Sequence, residues 1–153
     1  MLCIAPTGVI AGEGHAPRSQ HPHVRRRVLV IDDEPLVGRS LARLLGRAHD
    51  LTVLSSAADA LRRIDRGERW DAILCDLMVP DLDGIGFYEA LSARERGPLL
   101  RLAFTTGGAF GDRATRFLAE HDVLVVPKPV EPSLLLEIVE KLAASGTSGR
   151  IEG

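Results

Sequence analysis

Five short aliphatic runs punctuate the chain at intervals of 20 to 30 residues: RVLVI (27–31), LTVL (51–54), DAILC (71–75), RLAFTT (101–106) and VLVV (123–126). Each has the length of a buried strand and is too short for a helix. Between them the apolar spacing changes. After Pro35 it places Val37, Leu41, Leu44, Leu45 and Ala48 on one helical face, with Arg39, Arg43 and Arg47 opposite. A second helix is expected over 57–66, stopped by Gly67. Others follow over 84–93 and 112–121, and Pro132 opens a last one whose face is Leu135, Ile138, Val139 and Leu142. Strands that alternate with helices are joined by right-handed crossovers. The sheet is then parallel and covered on both faces.

The predicted class is therefore α/β, a flavodoxin-like doubly wound sheet of five parallel strands with five helices. Strand order 2-1-3-4-5 is expected, although alternation alone leaves other doubly wound orders open. At 153 residues the chain is long enough for one domain with its own core. Aromatic residues make up only 4% against 45% hydrophobic, so that core should be aliphatic. With 19 basic and 21 acidic residues the net charge is −2, which gives no global footprint for nucleic acid or a membrane surface. No apolar run approaches the ~18 residues that span a bilayer. The start, MLCIAPTGVIAG, lacks a charged leader followed by a long apolar core, and Cys3 and Cys75 make no disulfide framework. The expected location is cytoplasmic. Residues 1–24, which include His15, His21 and His23, read as a flexible lead-in rather than a metal site. The domain is expected over 25–144, followed by a flexible Gly/Ser tail at 145–153.

Polar residues gather where the aliphatic runs stop. Asp32 and Asp33 end the first run, Asp76 follows the third, Thr105 and Thr106 close the fourth, and Lys128 comes just after the fifth. In an open parallel sheet, ligands bind beyond the carboxyl ends of the strands. Carboxylates brought within ~5 Å repel by roughly 3 kcal/mol per pair at an effective dielectric of ~20. Such a cluster holds a proton or a cation. Hard oxygen ligands without nearby His or Cys suit Mg²⁺, which favours one or two carboxylates plus a phosphate. Aspartate is also a competent phosphoryl acceptor, and Lys128 brings an ammonium for phosphoryl oxygens. Gly107 and Gly108 let the backbone approach a bulky anion.

The ordered set VLVIDDEP (28–35), ILCDLMVPDLDG (73–84), FTTGG (104–108) and PKP (127–129) resembles the receiver domains of two-component response regulators, over about 27–142. TTGGAFGDRATRFLAE (105–120) is similar to receivers fused behind histidine kinases. The resemblance implies that Asp76 is the phosphoacceptor. It implies that Asp33 and Asp76 ligate Mg²⁺ directly with the backbone carbonyl of Met78, while Asp32 acts mainly through water. Thr106, followed by the small Gly107, takes the hydroxyl position, Thr105 turns to the opposite face, and Lys128 is the site lysine. The implied partner is a sensor histidine kinase or a histidine phosphotransfer protein, with a downstream protein partner left unnamed. No enzyme activity is implied beyond self-phosphorylation and self-dephosphorylation at Asp76.

Some positions depart from the family pattern. Val79 stands where Met is usual, and Val130 follows Lys128-Pro129 where Phe is frequent. Val125 occupies a switch position often filled by Tyr or Phe, so an aromatic rotamer switch is not expected. Output is expected through Thr106 and the Gly107-Gly108-Ala109 backbone. Pro127 removes a backbone donor, so pairing there should differ from a regular strand. Asp81 and Asp83 read as solvated turn acids, Arg25-Arg26-Arg27 as a solvated lead-in, and Cys75 as a buried small hydrophobe. With no output domain recognisable after 144, the chain is expected to act by changing partner contacts or as an excised receiver of a hybrid histidine kinase. A Mg²⁺-dependent aspartyl-phosphate phosphatase of the haloacid-dehalogenase type is the rival enzyme. It expects D-x-D on the first strand, where this chain has Asp32-Asp33-Glu34. A pseudo-receiver that never takes phosphate is disfavoured by the intact acid, hydroxyl and lysine set.

Overall fold

The computed structural model describes residues 24–94, 101–108 and 111–152. The expectations for Cys3, His15, His21, His23 and Ala109 lie outside that set. Five strands and five helices alternate: β1 (Arg27–Ile31), α1 (Pro35–Leu45), β2 (Asp50–Leu54), α2 (Ala57–Asp65), β3 (Ala72–Asp76), α3 (Gly84–Arg94), β4 (Leu102–Thr106), α4 (Asp112–Glu120), β5 (Leu124–Pro127) and α5 (Pro132–Glu152). The strands form one sheet in the order β2-β1-β3-β4-β5, all pairs parallel. This is the expected order 2-1-3-4-5. Among the described residues, no helix is long and apolar enough to cross a membrane.

Alternation along the strands builds two aliphatic layers. Leu29, Ile31, Ile73, Cys75, Leu102 and Phe104 face one side and pack with α2, α3 and α4. Val28, Val30, Ala72, Leu74, Ala103 and Val126 face the other and pack with Leu41 and Leu45 of α1 and with the apolar stripe of α5. At about 25 cal/mol per Å² of apolar surface, these layers are the main favourable term holding the fold.

Local signals explain the element ends. Ser56 caps α2, its Oγ accepting from the Asp59 amide at 3.2 Å. Gly84 starts α3 against the sheet: a Cβ there would lie 2.8 Å from the Phe104 ring and 3.0 Å from Leu77 Cα. Only a residue without a side chain lets α3 sit so close. Pro127 is tolerated because β5 is an edge strand. Lys128 donates its amide to the Thr106 carbonyl at 2.8 Å, which leaves the alternate Pro127 nitrogen turned away from β4.

One expectation is corrected here. The helix of α5 continues to Glu152, through the Gly/Ser-rich stretch read as tail from 145. Once a helix is nucleated each further residue closes one backbone bond, so the ladder outlasts its apolar face. The arginine triplet keeps Arg25 and Arg27 exposed, as expected, and adds surface contacts. Arg25 pairs with Asp50 at 2.9 Å, Arg26 with Glu140 at 3.0 Å, and the Arg27 amide donates to Asp71 Oδ2 at 2.8 Å.

Candidate functional site

Period-two alternation carries the site. Asp32, Asp76 and Lys128 continue the face of Val30, Leu74 and Val126, two residues beyond each. Three strand ends that are neighbours or near-neighbours in the sheet therefore deliver two carboxylates and an ammonium to one crevice. Lys128 Nζ lies 2.8 Å from Asp32 Oδ2 and 3.0 Å from Asp76 Oδ2. The second oxygens are also held: Asp32 Oδ1 accepts from the Glu34 amide at 2.9 Å and Asp76 Oδ1 from the Met78 amide at 3.0 Å. Both carboxylates and the lysine are more than four-fifths shielded from solvent. Burial alone would lower the Lys128 pKa, but hydrogen bonds and charge from Asp32 and Asp76 outweigh it and raise it above the usual lysine value.

Asp33 is less committed. It is exposed, and among the described residues its carboxylate has no hydrogen-bond or ion-pair partner. One oxygen from each of Asp32, Asp33 and Asp76 nevertheless lies within 4.8 Å of the others. That span is close to the ~4.2 Å covered by two metal–oxygen bonds of about 2.1 Å. The donor set fits a hard divalent cation, with Asp33 as the uncommitted ligand.

The remaining expected residues fall into place unevenly. Met78 sits at the crevice with its amide on Asp76 and its side chain exposed. Thr106 Oγ1 is engaged with its own loop, donating to the Gly108 carbonyl and accepting from the Gly108 amide, each at 3.3 Å. Gly108 has φ +143°, a conformation that L side chains rarely adopt. Thr105 faces the α1 side, as alternation requires, and lines a cavity with Val30, Leu74 and Lys128. The Lys128–Pro129 peptide is cis.

Sequence reasoning missed several contacts. Glu34 brings a third carboxylate to 4.0 Å from Lys128 Nζ; its place directly after the acidic pair was the available signal. Asp81 is exposed and Asp83 partly so, as expected, but both also make surface contacts. Asp81 accepts from Ser56 Oγ at 2.9 Å, which helps to lower its pKa. Asp83 accepts from the Gly86 amide in the first turn of α3 and pairs with Arg113 of α4 at 2.7 Å. Cys75 is a buried free thiol, and burial, then the neighbouring Asp76 and Asp32 charges, push its pKa well up.

A doubly wound sheet with an acidic crevice and a lysine at its strand ends defines a class, and comparison with known proteins narrows it. The family model described as response regulator receiver domain matches residues 28–140. The chain is 30% identical over 127 residues to a hybrid signal transduction histidine kinase L of Dictyostelium discoideum, covering 78% of this chain and 7% of that one. It is 35% identical over 106 residues to protein-glutamate methylesterase/protein-glutamine glutaminase 5 of Anaeromyxobacter dehalogenans, covering 67% of this chain and 29% of that one. A crystal structure of a response regulator receiver domain protein from Clostridium thermocellum superposes with a TM-score of 0.67 at 22% identity, covering 77% of this chain and 94% of that one. The chain belongs to the response regulator receiver domain family. It spans less than half the length of these two curated relatives.

Proposed function

We propose that the chain accepts a phosphoryl group on Asp76 from a phosphohistidine of a sensor kinase or phosphotransfer protein, and that it changes partner contacts while phosphorylated. The observation that carries this reading is the contact of Lys128 with both Asp76 and Asp32 beside the exposed Asp33, which has no partner among the described residues. A structural ion pair alone accounts for Lys128 and one aspartate. It leaves the third carboxylate, held close to two like charges, without a purpose.

In this reading an Asp76 oxygen attacks phosphorus as the bond from phosphorus to the imidazole nitrogen breaks. The leaving electron pair returns to the imidazole ring, and an acyl phosphate forms. Lys128 shifts from the aspartate oxygens to a phosphoryl oxygen and offsets its charge. Asp33 and Asp76, with the Met78 carbonyl, would hold Mg²⁺, and Asp32 would act mainly through water. The ion would supply charge neutralisation for the transferring group. The Thr106 hydroxyl would exchange its Gly108 bonds for a phosphoryl oxygen, and water later hydrolyses the acyl phosphate. The two relatives carry their matching segments in longer chains of different kinds, and the same phosphoryl chemistry serves an excised hybrid-kinase receiver equally well.

The test is incubation with acetyl phosphate and Mg²⁺ followed by intact mass measurement. One phosphate adduct is expected on wild type and none on Asp76→Asn or Asp76→Ala. Full phosphorylation of Asp76→Ala would overturn the assignment.

A further inference from the structure

A half-open cavity of about 390 Å³ lies directly beneath the crevice on the α1 and α5 side of the sheet. Val30, Val37, Leu41, Leu44, Leu74 and Val130 give it apolar walls. Its volume falls within the range of small-molecule sites, roughly 300–1,000 Å³. Space for about thirteen waters, at ~30 Å³ each, would set many of them against aliphatic surface.

Two hydroxyls line this space besides the charged rim, those of Ser40 and Thr105. Thr105 is only 6% exposed as a residue and turns toward the cavity. A hydroxyl that faces cavity water can exchange that water for a ligand hydroxyl at little cost, while the apolar walls reward the rest of the molecule. The rim carries both signs of charge side by side: Lys128, engaged by Asp32 and Asp76, with Glu34 at 4.0 Å. An anion entering there meets two carboxylates, and a cation competes with Lys128. A neutral hydroxyl suits both, since it donates to a carboxylate or accepts from Thr105.

We propose that this cavity is a binding site for a small neutral molecule with an apolar body and one hydroxyl, of the size of an alkylphenol. Asp32 and Lys128 border both the cavity and the acidic cluster. An occupant would therefore act on the two side chains that the proposed phosphoryl chemistry uses, a consequence that rests on that reading.

The experiment titrates 4-ethylphenol into methyl-labelled protein and follows the Val and Leu methyl resonances. Saturable millimolar shifts are expected, confined to Val37, Leu41, Leu44, Leu74 and Val130. Ethylbenzene, without the hydroxyl, and 4-ethylbenzoate, with a negative charge, should each bind several-fold more weakly. Thr105→Val keeps the shape and removes the hydroxyl, so it should weaken 4-ethylphenol about fivefold to tenfold. Val130→Phe should fill the space and abolish the shifts, with Leu44→Phe as a second blocking variant and urea midpoints confirming that each folds. Absence of saturable shifts in wild type would overturn the proposal. So would equal binding by wild type and a folded Val130→Phe or Leu44→Phe, or equal binding of all three probes. The titration needs neither Mg²⁺ nor phosphate, so its failure leaves phosphoryl acceptance standing, and failure of phosphorylation leaves the cavity site standing.

Discussion

Lys128 Nζ lies 3.0 Å from Asp76 Oδ2, a contact that joins the end of β3 to the residue just beyond β5 across β4. With Asp32 at 2.8 Å the ammonium bridges two shielded carboxylates. Removing it leaves like charges facing each other. Lys128→Met is therefore expected to lower stability by about 2 kcal/mol, less than the 3–5 typical of breaking a fully buried pair because the crevice opens to solvent. Excess Mg²⁺ should restore part of the loss, as a cation replaces the ammonium. The bridge also has a pH signature. The folded Lys128 pKa is raised, so the contribution is complete below the ordinary lysine value of 10.5 and is lost as pH rises through the raised value. Urea midpoints measured across that window should fall in wild type and show no such phase in Lys128→Met.

The two adjacent aspartates should differ toward metal. Asp32 is committed to Lys128 and the Glu34 amide, whereas Asp33 is exposed and unpaired among the described residues. Asp33→Ala should weaken Mg²⁺ binding at least tenfold and Asp32→Ala less. Calorimetry is the measurement of choice. Trp70 precedes β3, and Asp76 ends it, so the indole stands roughly 20 Å from the crevice at about 3.3 Å per strand residue. Equal affinities in wild type and both variants would place the metal elsewhere.

Thr106 is held at rest by Gly108 through two 3.3 Å bonds. Thr106→Ala should leave Asp76 phosphorylation largely intact and reduce the conformational response to it. Beryllofluoride-induced amide shifts across 106–108 and 124–132 are the readout, expected large in wild type and small in the variant. Identical shifts would show that the switch does not use that hydroxyl. Val125 offers no ring to transmit the change and is stiff at its first side-chain torsion.

Cys75 sits inside the α2–α4 layer, with its thiol pKa driven up by burial. In a Cys3→Ser background it should resist iodoacetamide until the protein unfolds, because neither exposure nor thiolate is provided. Rapid alkylation under native conditions would mean that β3 opens locally far more often than its burial implies.

Much of this architecture was legible in the residues. Aliphatic runs of strand length gave the five strands, and the helical faces of α1 and α5 appeared in Leu41, Leu45, Leu135, Ile138, Val139 and Leu142 as buried positions. Asp32, Asp33, Asp76 and Lys128 stood out because each interrupts or follows an aliphatic run, and the structure brings them together. Pairings of side chains across loops were not legible. Asp83 with Arg113 and Asp81 with Ser56 depend on how the loop after β3 folds against the starts of α4 and α2, which no local pattern encodes. The cavity beneath Lys128 was equally invisible, since an empty volume is a property of many side chains jointly.

Because the crevice is reached by counting in twos along β1, β3 and β5, it constrains length as much as composition. One residue inserted between Trp70 and Asp76 would turn Cys75 toward Lys128 and bury the aspartate among α2 and α3. Two inserted residues would restore the facing while lifting the carboxylate away from its partners. The segment is thus closed to insertions of either kind, and variation in length is left to the loops that follow the strands.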